Sequence, residues 1–73
     1  MTKLIKVEQN LWCVEHNRTV KSFHSIEDAS DFLIDPFEVH DEQIDEAICL
    51  MAAYGHNTAV FSEEGFLIKT ELK

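Results

Sequence analysis

Glycine and proline are nearly missing. The 73 residues hold two glycines, Gly55 and Gly65, and one proline, Pro36. Phosphate-cradling nucleotide loops need more glycine than that, so they are excluded. Cysteine is limited to Cys13 and Cys49, too few for the disulfide-dense scaffold of a small secreted domain. Both are expected to be reduced thiols. No apolar run approaches the roughly 18 residues of a membrane helix. The opening residues, MTKLIKVEQNLW, carry charges inside their apolar stretch and lack a small-residue cleavage motif, so a secretory leader is not expected. The expected location is the cytoplasm.

Positive charge is missing from the middle of the chain. Lys3, Lys6, Arg18 and Lys21 come before Ser22, and Lys69 and Lys73 stand at the far end. Nothing between Ser22 and Ile68 is Lys or Arg. That interval carries Glu27, Asp28, Asp31, Asp35, Glu38, Asp41, Glu42, Asp45, Glu46, Glu63 and Glu64, and the formal net charge of the chain is -8. Direct binding of nucleic acid needs clustered cations to neutralise phosphates, and an anionic membrane repels a surface of this sign. Neither is an expected partner. A protein with a basic surface is, because long-range attraction speeds that encounter.

What remains is a short chain with 45% hydrophobic residues, enough for one small core. A single compact domain over residues 1–73 is expected, of class α+β. Residues 4–23 read as extended, with a hairpin turn at Glu15-His16-Asn17-Arg18 and a bulge or second bend at Gln9-Asn10. Trp12 and Val14 share one strand face, and Cys13 takes the other.

Ser25 is placed to cap a short helix whose first turn holds Glu27 and Asp28. Ile26, Ala29, Phe32 and Leu33 form its apolar stripe, with Asp28, Asp31 and Asp35 on another face. Pro36 ends it, because the residue before a proline avoids helical backbone angles. A second helix is expected from His40 or Asp41 to a Gly55 cap. Ile44, Ala47, Ile48, Met51 and Ala52 make its buried stripe. Glu38, Glu42 and Glu46 are expected along its outer side, with Asp41 and Asp45 beside them. A last hairpin joins 58–61 to 66–70 through Ser62-Glu63-Glu64-Gly65. The order β-β-α-α-β-β predicts an antiparallel sheet of about four strands with two helices on one face.

Catalytic and metal chemistry find weak support. Cys13 and His16 have a Cys-x2-His spacing, but zinc needs about four convergent ligands. The paired carboxylates fall on polar helix faces without the shielding that acid-base work requires. Cys49 lies between Ile48 and Leu50, where burial is expected to keep a thiol inert. No catalytic, cofactor or metal site is assigned, and the chain is not expected to be an enzyme.

The acidic band carries the functional expectation. Helical neighbours three and four apart present carboxylates about 5–6 Å from one another, a spacing comparable to that of phosphates on a strand. The chain is therefore expected to be a small acidic binding or regulatory protein. It would dock on a larger, partly basic macromolecule, with mimicry of DNA and inhibition of a nucleic-acid enzyme as a special case. The partner-binding residues are Asp28, Asp31, Asp35, Glu38, Asp41, Glu42, Asp45 and Glu46, with Trp12 and Tyr54 as aromatic anchors. In size and acidity the chain resembles small accessory proteins of bacteria and their phages, a likeness of type that rests on no motif. The alternative is a self-associating domain, a homodimer built on an apolar patch near Leu11, Val20 or Leu67.

Overall fold

The computed structural model describes residues 1–71. Seven elements follow in order: β1 (Thr2–Glu8), β2 (Leu11–His16), β3 (Thr19–Phe23), α1 (Ile26–Ile34), α2 (Asp41–Tyr54), β4 (Thr58–Ser62) and β5 (Gly65–Lys69). The fold is a small single α+β domain: one antiparallel sheet, order β3-β2-β1-β4-β5, with two helices over one face. The sheet has five strands, one more than expected. The slip of alternation at Gln9-Asn10 is a full reversal of the chain, with a register irregularity just before it between Lys6 and Glu8.

The second hairpin turns one residue later than expected. Glu15 and His16 are still paired strand residues, and Asn17-Arg18 makes the turn, with Asn17 at φ 57°. Asparagine tolerates that left-handed backbone better than most residues. The last hairpin turns at Glu63-Glu64, and Gly65 takes φ 136°. Phe61 pairs with Phe66 across it, ring centroids 6.0 Å apart.

The helix-facing side of the sheet is the core floor. Leu4 and Val14 in the centre, Trp12 beside them and Ala59 and Phe61 on β4 are all buried. Ala29 and Leu33 of α1 and Ile44, Ala47 and Met51 of α2 close over them. α1 packs on β2 and β3, and α2 packs on β4 and β5. Ser25 caps α1 through its hydroxyl, which accepts from the Asp28 amide at 3.1 Å. Asp35 ends it with extended backbone (φ -138°, ψ 112°), the conformation a residue before proline favours. Backbone bonds from Glu38 N to Ile34 O and Val39 N to Leu33 O, both 2.9 Å, fold the connection back onto the helix end. Gly55 closes α2 in the left-handed conformation, φ 71°.

Ala52 departs from the expected stripe of α2: it is exposed, because it lies about 100° round the helix from Met51, on the side that carries Asp41 and Asp45. The sheet's other face carries Ile5, Cys13, Val20, Val60 and Leu67. Glu71 lies partly across it. Its backbone N–H donates to Asn57 Oδ1 at 2.8 Å, its carbonyl accepts from Asn57 Nδ2 at 3.0 Å, and its carboxylate pairs with Lys3 at 3.1 Å.

Candidate functional site

The two helices leave a groove of about 670 Å³ between them. Its position follows from helical geometry. On α2, Asp41, Asp45, Ile48 and Cys49 recur at intervals of three and four, so they share one side of the helix, about a quarter-turn from the buried Ile44, Ala47 and Met51. That side faces α1. On α1, Glu27, Asp31 and Ile34 face back across the gap. The floor is aliphatic: Ile26 and Ile48 are half-buried, and Ile34 is 38% exposed. The walls are acidic, with Glu27 and Asp31 on one side and Asp41 and Asp45 on the other.

A second, shallower depression lies on the far side of α1. Asp28, Asp31 and Asp35 line it together with Phe23 and Phe32. Asp31 therefore belongs to both concavities. Lys21 lies near this depression, but its ammonium stands over the aromatic rings, 5.1 Å from the centroid of Phe32 and 5.6 Å from that of Phe23. Among the described residues it pairs with no carboxylate. Among the described residues the single ion pair is Lys3 with Glu71, on the opposite face of the sheet. All nine carboxylates between Glu27 and Glu46 are exposed.

The expected site residues thus divide into groups. Asp28, Asp31, Asp35, Asp41 and Asp45 come together around the groove and the adjoining depression. Glu42 and Glu46 are exposed on the outer side of α2, about 100° further round. Glu38 does not continue their row. It precedes α2 in the connection, at φ 59°, and lines a separate hollow with His16, Phe37, His40 and Glu63. The backbone bonds that fold this connection onto α1 set that direction. Tyr54 is 68% exposed but stands at the opposite end of α2 from Asp41, about 20 Å away. Trp12 is a core residue, 7% exposed, with the Lys6 ammonium 5.6 Å from its ring centroid. A partner meets almost none of its surface.

Six residues that line the groove, Ile26, Glu27, Ser30, Ile34, Ile48 and Cys49, were not among the expected partner-binding residues. Cys49 is exposed on the groove side of α2, not shielded, because flanking Ile48 and Leu50 lie a third of a turn to either side of it. Glu27 and Ile34 were also missed as lining. The signal for Ile34 was available: it is a large apolar residue off the stripe of Ile26, Ala29 and Leu33, set among carboxylates.

The cysteines and histidines do not assemble. Three residues along a strand reverse the side, so His16 faces the helices while Cys13 faces away. His16 bonds Thr2 Oγ1 at 2.7 Å and stacks on Phe37, ring centroids 4.2 Å apart. Cys13 lies 3.5 Å from the Ser22 hydroxyl on the other face. Among the described residues no three His, Cys, Asp or Glu side chains are grouped to hold a metal ion, and no helix is long and apolar enough to cross a membrane. Comparison with protein-family models, curated proteins and solved structures finds no match.

Proposed function

We propose that this chain is a small acidic protein-binding and regulatory domain that docks through its helical layer on a basic surface of a larger macromolecule, blocking or adapting it. The observation that carries the reading is the layer itself. Nine exposed carboxylates, none ion-paired among the described residues, lie on and between the helices, and four of them, Glu27, Asp31, Asp41 and Asp45, line a groove with an aliphatic floor. Mutual repulsion along one face weakens the free domain and is relieved when a cationic partner covers it. No described Lys or Arg is borne by a helix, and this excess of negative charge on the helices favours their approach to a basic partner. Imitation of a nucleic-acid strand is the special case in which the partner's basic surface is a phosphate-binding one. We place the protein in the reducing interior of the cell, with Cys13 and Cys49 as free thiols on opposite sides of the sheet.

The test is affinity capture from native lysate at two salt concentrations, with mass spectrometry of what is retained. Immobilised wild type is compared with the combined Asp28→Asn, Asp31→Asn, Asp41→Asn and Asp45→Asn variant. The expected result is a specific partner lost at high salt and lost with the variant, and released by duplex DNA where the mimicry case holds. Retention by the variant refutes docking through the helical layer.

Self-association is the second reading. Val20 is 61% and Leu67 66% exposed on the open sheet face, and β3 and β5 each leave one edge unpaired among the described residues. The two side chains occupy one cross-strand row, separated by Glu15, Lys3 and Val60. Four strand spacings put them about 19 Å apart. Light scattering decides it, since a stable dimer in the absence of any partner moves the weight to this face.

A further inference from the structure

Three properties of the groove between α1 and α2 together specify an occupant. Ile26, Ile34 and Ile48 give it an aliphatic floor that remains partly open to water. Acidic residues stand on both walls, Glu27 and Asp31 opposite Asp41 and Asp45. Every lining residue belongs to a helix, so no sheet edge runs along it.

An extended peptide gains affinity from main-chain hydrogen bonds to an open strand edge, and here it finds none. Its own N–H and C=O groups are left facing helices whose backbone is already paired. A helix brings its backbone hydrogen bonds with it and presents only side chains. An apolar stripe answers the floor, and cations on both flanks of that stripe answer the two walls. A flat array of phosphate-binding cations reaches the carboxylates but leaves the isoleucines uncovered. We propose that the groove seats one basic amphipathic α-helix of a partner protein, with aliphatic side chains on Ile26, Ile34 and Ile48 and Lys or Arg toward both acidic walls. This rests on the docking reading above and narrows it to one class of partner. α1 sets the length: its nine residues span about 13 Å, so two to three turns of the incoming helix fill the groove.

The experiment uses the intact protein and two synthetic peptides of about 15 residues. One carries three Leu at positions i, i+4 and i+7 flanked by Lys and Arg. The other is its isomer, with the same composition and the Leu spread around the helix. Fluorescence anisotropy reads affinity at about 50 mM and about 300 mM NaCl. Alkylation rates of Cys49, inside the groove, and Cys13, on the opposite sheet face, locate the contact. The expected result is a preference for the striped peptide of about tenfold or more that persists at the higher salt. Its binding slows alkylation of Cys49 and leaves Cys13 unchanged. Ile34→Ser removes the preference, and because Ile34 is already partly exposed the domain keeps its circular dichroism spectrum. Ile48→Ser checks the part of the floor that α2 supplies.

Equal binding of both peptides, lost together at high salt, overturns the helix proposal and leaves docking by charge standing. Protection of Cys13 in place of Cys49 overturns the groove as the seat. Binding of neither peptide overturns the proposal as well, while the lysate capture decides the docking reading independently.

Discussion

Asp31 is the residue at which the cost and the use of the acidic layer are easiest to separate. It has Glu27 four residues before it, Asp28 three before it and Asp35 four after it. It begins the last turn of α1, where the negative end of the helix dipole disfavours a carboxylate. No side-chain hydrogen bond or ion pair to its carboxylate offsets this among the described residues. Each like-charged helical pair costs about 0.2–0.5 kcal/mol. Two or three such pairs and the dipole contribution sum to about 1 kcal/mol. Asp31→Asn removes the charge and keeps the shape, and the two residues have similar helix propensity. The variant is expected to be more stable than wild type by about 1 kcal/mol, an increase in melting temperature of roughly 4–8 °C for a domain of this size. Thermal melts followed by far-ultraviolet circular dichroism measure it. In about 1 M NaCl the screening length falls to about 3 Å and most of the gain is expected to disappear. Glu64→Gln, in a turn with one acidic neighbour, is the control and is expected to stay within about 0.5 kcal/mol. The same Asp31→Asn variant is expected to bind a basic partner less tightly. A variant that is less stable than wild type, or a gain that high salt leaves intact, refutes the reasoning.

Other outcomes follow from the fold. Leu33 is fully buried, and Leu33→Ala is expected to cost about 2–5 kcal/mol by urea titration. That is a large share of the roughly 4–11 kcal/mol expected for a chain this long. Ser25→Ala removes the α1 cap and is expected to cost about 1 kcal/mol, whereas Ser25→Asp is expected to retain most of it in the same titration. Gly55 has open space around it but φ 71°, so Gly55→Ala is expected to destabilise by about 1 kcal/mol through backbone conformation alone, and Gly55→Asn by less. With a chromogenic disulfide reagent, Cys49 is expected to react faster than the half-buried Cys13. Equal rates show that α2 does not present Cys49 to solvent.

Much of the fold was legible because local rules act on few residues. Pro36 and Gly55 punctuate the helices, Ser25 with Glu27 and Asp28 marks a helix start, and Gly65 closes a hairpin. The reading failed where local pattern is ambiguous. Gln9-Asn10 is consistent with a bulge or a reversal, and only the pairing of β2 with β1 decides between them. Ala52 continues the helical stripe on paper, but its direction is that of Asp41 and Asp45, to one side of the buried Ile44, Ala47 and Met51. Cys49 has apolar neighbours in sequence, yet sequence neighbours on a helix point in different directions. Glu38 is spaced to join Glu42 and Glu46, and the backbone bonds from residues 38 and 39 back to α1 turn it away.

The sequence by itself determined the charge segregation, the two helices with their boundaries and the α+β class, because each depends on composition, period or a single residue's backbone preference. Tertiary structure alone decided that Trp12 is sealed in the core and that Tyr54 stands far from the acidic centre. It also decided that Asp31 and Asp45 face each other across isoleucines. How two helices seat side by side on a sheet is set by all the side chains packed beneath them, and no local pattern along the chain encodes it.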